Sequence, residues 1–474
     1  MGKELTKKRV GMDLTQGNIL KLLLIFAGPL LLADLVQQLY SVVDLIIIGQ
    51  YVGSTGTVGV ATGGEVADIL TPIATGLATA GQIYIAQLIG AKDVKDLEKT
   101  VGTLFTVMMG LSVLFTVGTV VSYGAVLRLL NCPEEAFSQA AAYMIITAFG
   151  IPFIFIYNAM CGVLRGMGES KRPLLFVLVA AGVNIFLDIF LVAVFKMEAA
   201  GTAVATVLAQ VGAATAAFIY LYKRRNQLGF KLRLSSFRID GQALFVILKL
   251  GIPKIFSSMC IRFSLLWCKS QINAYGLVAS ATYSVGNKLQ KLCAVFVHSV
   301  SNGAAAMVSQ NIGARRHDRA KQIVWTTFGC TLVAATVLSI LSLTFPRQLF
   351  GVFTKDAEVI EAGVVFMQIL CITFFMSAFL SSFSSIVTGS GFAELDFLTG
   401  MMDGVICRIG LSLLFVNVVG MGVEGYFLGS ALARFLPGVI VFIYFLSGKW
   451  KNRKLLSESG RRFAKKEPVE EKSA

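Results

Sequence analysis

Residues 17–48 read GNILKLLLIFAGPLLLADLVQQLYSVVDLIII, and this apolar run decides the fold. It is longer than the ~20 residues that cross a bilayer as an α-helix, and far longer than a transmembrane β-strand. A backbone in lipid must satisfy its own hydrogen bonds, so the run is predicted to be a membrane-spanning helix. Asp44 lies within it, where a charged side chain is costly.

Similar runs recur along almost the whole chain. Hydrophobic residues make up 55% of the 474 residues and charged residues only 15%, against about 25% in soluble proteins. The pattern predicts an all-α membrane protein with about twelve spans. They lie near 17–48, 57–89, 100–123, 135–162, 172–196, 199–223, 243–273, 280–312, 321–345, 357–388, 395–418 and 424–447.

Basic residues alternate between the connections and so orient the spans. One set of connections is rich in Lys and Arg, for example around Lys92, Lys171 and Arg315, whereas the opposite set is poor in them. By the positive-inside rule, we expect a multi-pass protein of the plasma membrane with both termini in the cytoplasm. The net charge of +15 follows from these loops. They flank the membrane and form no separate basic module, which argues against nucleic-acid binding.

The chain contains an internal repeat. Gln87–Lys92 (QLIGAK) recurs 223 residues later as Gln310–Arg315 (QNIGAR; 313 − 90). Gly166-Met-Gly168 recurs at the same offset as Gly389-Ser-Gly391 (389 − 166). Pro29 corresponds to Pro253 at an offset of 224 (253 − 29). The repeat predicts two pseudo-symmetric six-helix lobes, 1–222 and 241–447, joined by a cytoplasmic linker (223–240) and followed by a basic cytoplasmic tail (448–474).

Asp44 and Asp188 are the most informative polar residues. Each lies within an apolar span, where an aspartate at the bilayer centre costs roughly 2.5–3.5 kcal/mol. Membrane carboxylates usually bind a cation or a proton, and neighbouring N-terminal spans have no mid-membrane Lys or Arg to pair with them. The alternative is a buried structural ion pair. The pattern favours an ion-coupled transporter.

These residues resemble the multidrug and toxic compound extrusion (MATE) family. The resemblance rests on Pro29 with Val-Val-Asp44, Gly90-Ala91, Leu164-Arg165-Gly166-Met-Gly168, Asn184-x-x-x-Asp188 and Gly201–Thr206 (GTAVAT). It covers about residues 15–450. It implies a MATE-type fold whose lobes rock to give alternating access, with Na⁺ or H⁺ as the coupling ion and no other cofactor.

The resemblance also implies site residues. In prokaryotic members the cation-binding positions fall on Asp44, Asn184, Asp188 and Thr206, which would hold Na⁺ or a shared proton. Asn184 and Asp188 are i and i+4 and share one helix face. Pro29 would act as a hinge in the first span, or it is only a packing kink. The seventh and tenth spans lack the acidic residues of the NorM-type branch, which favours the DinF-like branch.

Further polar residues are candidates for a substrate cavity. In the N-lobe these are Asp34, Glu65 and Asp68, which would attract cations or are simply wet. In the C-lobe they are basic: Arg262, Lys269, Lys291 and Arg408. This basic set would bind an anionic or zwitterionic substrate, or alternatively its members snorkel to the interface or pair with Asp403.

The leading hypothesis is a monomeric secondary antiporter that exports organic compounds or drugs. The alternative is a flippase for lipid-linked oligosaccharide or another anionic lipid, which the basic C-lobe residues keep open. An enzyme is not expected, because the chain has only two histidines and none of the common catalytic motifs. The expected partners are a small-molecule substrate and the lipid bilayer.

Overall fold

The computed structural model describes residues 11–224 and 237–458. Three parts of the predicted organisation lie outside these residues: the first ten residues of the N-terminal lobe (1–10), most of the linker (225–236) and the end of the basic tail (459–474).

Within the described residues, eleven helices are long and apolar enough to cross a membrane, and a pair of helices that meet at a 46° bend makes a twelfth span. The prediction of an all-α protein with twelve spans is therefore confirmed. The helices are α1 (Ile19–Tyr51), α2 (Gly53–Ala91), α3 (Val94–Leu129), the bent pair α4 (Glu134–Ala148) and α5 (Ile151–Gly166), α6 (Lys171–Asp188), α7 (Glu198–Lys223), α8 (Gly241–Asn273), α9 (Leu277–Gly313), α10 (His317–Thr344), the short α11 (Pro346–Gly351), α12 (Ala357–Ser390), α13 (Ala393–Met401), α14 (Arg408–Leu413), α15 (Val423–Leu432) and α16 (Phe435–Ser447).

Some spans contain π-helical turns, in which hydrogen bonds run from i to i+5 and each turn holds more residues than an α turn. Ile189–Val194 continues α6 in this form. In the second half, Met402–Cys407 joins α13 to α14, and Leu414–Val418 continues α14. The apolar pattern did not predict these turns, since it is continuous through them.

The predicted repeat is visible in the backbone. Lys92 follows α2 with φ 59°, and Arg315, at an offset of 223, has φ 58°. Gly168 and Gly391, also 223 apart, have φ 85° and 72°. Residues in the left-handed backbone conformation commonly end helices. Equivalent helices of the two halves therefore end in the same kind of turn.

Later in each half the structural offset becomes 224. Gly201 packs on Val192, with its Cβ position 3.2 Å from a Val192 methyl, and Gly425 packs in the same way on Val416, at 2.8 Å. The second half has gained one residue by this point. Its additional π segment, Met402–Cys407, lies where the extra residue is needed, because a π turn accommodates one residue more than an α turn.

Two helices are divided between compact units. The N-terminal unit is built mainly from Leu32–Gly251, and the C-terminal unit from Leu14–Leu31 and Ile252–Leu455. The predicted boundaries fell between spans, whereas these fall inside α1 and α8. The two ends of each of these long helices pack against different neighbours.

The start of α1 belongs to the C-terminal unit, where Ala27 lies 3.3 Å from the Cβ position of Gly303. Its end belongs to the N-terminal unit, where Ile48 joins a buried cluster with Val60 and Val192. In α8, Gly251 packs on Leu77 of the N-terminal unit, and later residues of the helix pack on α13 and the π segment that follows it.

Candidate cation site

Two aspartates from different spans meet in the N-terminal unit. Asp44 lies on α1, and Asp188 is the last residue of α6. Their carboxyls are close enough for a hydrogen bond to form between them when they share a proton. Asp188 has no exposed surface, and Asp44 is half-buried. The two residues predicted to form one loading point are therefore adjacent.

Asn184 lies one turn before Asp188 and is 2% exposed. Among the described residues, neither its amide group, nor either oxygen of Asp188, nor Oδ1 of Asp44 has a hydrogen-bond partner. No Lys, Arg or His of the described chain forms an ion pair with either aspartate. Buried polar atoms are nearly always satisfied. This group of hard oxygen atoms fits a Na⁺ ion or a proton.

Tyr143 on α4, which the sequence did not indicate, is a neighbour both of Thr206 on α7 and of the carboxyl pair. The Tyr143 hydroxyl on α4 lies within interaction distance of the Thr206 side chain and is close to Asp44 and Asp188. Tyr143 is therefore a neighbour both of the fourth predicted position and of the two carboxyls. Its sequence context offers no signal, because a lone tyrosine in an apolar span usually serves packing.

Glycines on α2 fix the position of Tyr143. A Cβ on Gly63 would lie 2.7 Å from the Ala140 carbonyl oxygen and 3.2 Å from Cβ of Tyr143, and one on Gly59 would lie 2.9 Å from Cβ of Gln139. Gly59 and Gly63 form a GxxxG pattern, which lets helices in a membrane approach closely. The close contact of α2 with α4 thus sets where the Tyr143 hydroxyl lies.

The helix that carries Asn184 and Asp188 changes form directly after the site. The π segment Ile189–Val194 begins at the next residue, and Gly201 of α7 packs against Val192 within it. π turns in membrane and soluble proteins often mark functional sites. Here the turn re-aims the rest of the span while the α-helical spacing of Asn184 and Asp188 is kept.

The other N-lobe candidates lie outside this cluster. Pro29 is inside α1, two residues before the unit boundary. Glu65 and Asp68 are exposed on α2, and Asp34 is partly exposed on α1. Asp68 is close enough to act electrostatically on Tyr143.

The predicted basic set of the C-lobe does not share one environment. Arg262, Lys269 and Lys291 are exposed, whereas Arg408 is 1% exposed. Arg408 donates a 2.8 Å hydrogen bond to Oδ1 of Asp403, which is the pairing considered as the alternative. Arg408 is therefore a buried, ion-paired residue and does not share the exposed environment of the rest of the basic set.

Twelve apolar spans, a doubled architecture and carboxyls buried within the spans define the class: the protein is a multi-pass membrane transporter. The MatE family model matches residues 29–190 and 253–421, two segments whose starts are 224 residues apart. The matches cover more than half of the chain, so it belongs to the MatE family, and the sequence resemblance is confirmed.

Relatives and solved structures agree with this assignment. The chain is 29% identical over 341 residues to "Probable multidrug resistance protein YoeA" of Bacillus subtilis (strain 168), covering 70% of this chain and 73% of that one. It is 26% identical to "Probable multidrug resistance protein YpnP" of the same strain, over 94% of this chain and 99% of the relative. A MOP superfamily transporter from Pyrococcus furiosus has the same fold, with a TM-score of 0.88 at 19% identity, over 94% of this chain and 100% of that one.

Proposed function

We propose that this protein is a secondary antiporter that exports organic compounds, including drugs, in exchange for Na⁺ or H⁺ bound between Asp44 and Asp188. The observation that carries the proposal is the buried carboxyl pair without a cationic partner among the described residues. The names of its Bacillus relatives support drug export as the transported chemistry.

The carboxyl pair needs one positive charge when it is buried. Two carboxylates within hydrogen-bond reach repel strongly in a medium of low dielectric constant. A shared proton removes one charge, and Na⁺ neutralises the same excess through the Asp44, Asp188, Asn184 and Thr206 oxygens. Either ion ties α1 to α6, and its release frees α1 to move.

Movement of α1 is where ion binding would couple to transport. Pro29 removes one backbone hydrogen bond from the helix and lies 15 residues before Asp44 (44 − 29), about 22 Å along the helix axis. We infer that α1 bends at Pro29 according to whether Asp44 is loaded. Alternating access then follows by rocking of the two lobes, in a monomer with both termini in the cytoplasm.

The flippase alternative depends on the exposed residues Arg262, Lys269 and Lys291. These could hold an anionic headgroup, and the presence of Arg408 in a buried pair reduces that set. The carboxyl pair supplies an ion-driven step that a passive lipid carrier has no need of. We therefore retain the antiporter as the proposed function and let a transport assay decide.

The assay uses purified protein in liposomes, with an imposed Na⁺ or pH gradient and either a cationic or an anionic dye. We expect gradient-driven movement of dye by the wild type, and loss of the gradient dependence in Asp44→Asn and in Asp188→Asn. Glu135→Gln, which changes an exposed acid at the start of α4, is the matched control and should keep it.

Retention of full gradient-driven transport by both Asn variants would refute the coupling assignment. Transport of neither dye, together with movement of a fluorescent anionic lipid between leaflets, would replace the antiporter by the flippase.

A further inference from the structure

The C-terminal unit contains a small cavity at the position equivalent to the cation site. At the offset of 224 shown by Gly201 and Gly425, Asn184 corresponds to Arg408, Asp188 to Ser412 and Thr206 to Ser430. Pro29 and Pro253 have the same offset, which places Cys268 where Asp44 lies. The two acids and the amide of the first half are thus replaced by a thiol, a hydroxyl and a guanidinium.

These equivalent residues are also neighbours in the structure. Arg408 and Ser430 both line the cavity, and the Ser430 hydroxyl is 3.8 Å from the Cys268 sulfur. Ser412 lies beside the same thiol. The cavity has a free volume of about 20 Å³, which suits one particle the size of a water molecule or a halide ion.

Several buried donors around the cavity are unpartnered. Nε of Arg408 and the Tyr283 hydroxyl, which line the cavity, have no hydrogen-bond partner among the described residues, and the Asn287 side chain lies beside the Tyr283 hydroxyl. The Ser412 hydroxyl lies beside the Cys268 thiol and is not among the lining groups. Arg408 is 1% exposed, Tyr283 4% and Ser412 0%. The side chains of Asn287 and Gln290 also line the space and carry amide donors. The wall of the cavity is therefore rich in donors.

The charges around the cavity leave an excess of one positive charge. Asp403 accepts from Arg408 at 2.8 Å and is 3.8 Å from Nε of Arg434, and Arg434 also donates to the Ser377 hydroxyl. One carboxylate is thus shared by two guanidinium groups. Lys254 is paired with Asp396 at 3.3 Å and adds no net charge. A buried net charge is costly unless it is neutralised.

We propose that this cavity, lined by Arg408, Tyr283 and Ser430, binds one small monovalent anion of chloride size. The anion would accept from Nε–H of Arg408 and from the Tyr283 hydroxyl, and it would neutralise the excess charge of the Arg408–Asp403–Arg434 group. The assignment does not depend on the proposed transport function, since every group involved lies in the C-terminal unit.

The test compares chloride with gluconate, which is too large to enter, at constant Na⁺ concentration and pH. Purified full-length protein in detergent is titrated with radiolabelled chloride, and its melting temperature is recorded in both salts. We expect saturable binding of one chloride per protein and a higher melting temperature in chloride.

Two variants locate the site. Tyr283→Phe removes one donor without unpairing a charge and should weaken chloride binding about tenfold or more, since a hydrogen bond to an ion is lost. Arg408→Lys keeps the charge next to Asp403 but loses the Nε–H donor, and should weaken binding to a similar degree. Tyr275→Phe, which alters an exposed tyrosine of the same unit, is the control and should bind as the wild type does.

Equal behaviour in chloride and gluconate would mean that the cavity holds water only, and it would overturn the proposal. Chloride binding that Tyr283→Phe and Arg408→Lys leave unchanged would place the anion elsewhere and overturn it equally. Arg408 and Tyr283 are intact in Asp188→Asn. Loss of chloride binding in that variant would contradict the independence of the cavity from the cation site.

Discussion

Replacement of Asp188 by Asn should stabilise the protein in alkaline buffer without Na⁺. Under these conditions neither proposed ion loads the carboxyl pair, so the two carboxylates repel each other. At a separation of about 4 Å and an effective dielectric constant of about 20, the repulsion is about 4 kcal/mol. Asp44 is half-buried, and water near it screens part of this energy, so we expect a gain of about 1–3 kcal/mol in the free energy of unfolding.

The same variant should lose the response to ions. In the wild type, added Na⁺ or a lower pH relieves the repulsion and raises the melting temperature. In Asp188→Asn only one carboxylate remains, and the amide group can donate a hydrogen bond to it, so neither change should have a comparable effect. Melting curves of purified protein, recorded against Na⁺ concentration at pH 10 and against pH without Na⁺, measure both responses.

Glu65→Gln is the matched control, because Glu65 is an acid of the same unit but is exposed on α2. It should melt as the wild type does and keep the full response to both ions. The reasoning is refuted if Asp188→Asn is less stable than the wild type at pH 10 without Na⁺. It is also refuted if the variant is stabilised by Na⁺ as strongly as the wild type.

Three more predictions concern packing, pH dependence and topology. Gly63→Ala should lower the free energy of unfolding by about 1–3 kcal/mol, because the new Cβ would lie 2.7 Å from the Ala140 carbonyl oxygen. Gly110→Ala is the control, since a Cβ at that position would have nothing within 4 Å. It should not destabilise the protein in the same melting assay. Burial raises the pKa of Asp240, but hydrogen bonds from Lys99 and the Ala243 N–H outweigh it and hold the pKa below its usual range. The stabilisation that ionised Asp240 provides is therefore present above the unfolded-state pKa, about 3.9, and is lost as pH falls through the folded-state pKa. Asp240→Asn should be at most about 1 kcal/mol less stable than the wild type at pH 7. This difference should vanish in melting curves recorded at acid pH. An impermeant amine reagent applied to intact cells should modify Lys196 and Lys355, and Lys92 and Lys171 only after permeabilisation; mass spectrometry showing the reverse would overturn the orientation.

The features that the sequence predicted are those that depend on local periodicity or on a fixed spacing. The twelve spans follow from apolar length alone. Asn184 and Asp188 could be placed on one face because an α-helix brings i and i+4 together. The repeat could be detected because equivalent turns of the two halves use glycine at positive φ, Gly168 and Gly391. Tyr40, one turn before Asp44 and close to it, could have been found by the same rule.

Other features depend on contacts between distant segments, which periodicity does not encode. Tyr143 lies near the carboxyl pair, in a region where Gly59 and Gly63 let α2 and α4 approach closely. The division of the units inside α1 and α8 likewise reflects which neighbours each end of a long helix meets. Apolar residues fill both ends alike, so hydropathy gives no sign of the change.

The π segment Met402–Cys407 accounts for the environment of Arg408, which α-helical reasoning could not place. In a continuous α-helix, residues 403 and 408 would be about 140° apart around the axis, and their side chains would diverge. Hydrogen bonds from i to i+5 in the π segment bring positions five apart onto nearly the same face, so Asp403 and Arg408 can pair at 2.8 Å. The same inserted residue moves the offset between the halves from 223 to 224. Arg408, Ser412 and Ser430 thereby take the places that Asn184, Asp188 and Thr206 hold in the first half. One residue added within a helix thus places a guanidinium, rather than an acid, in the second of two equivalent sites.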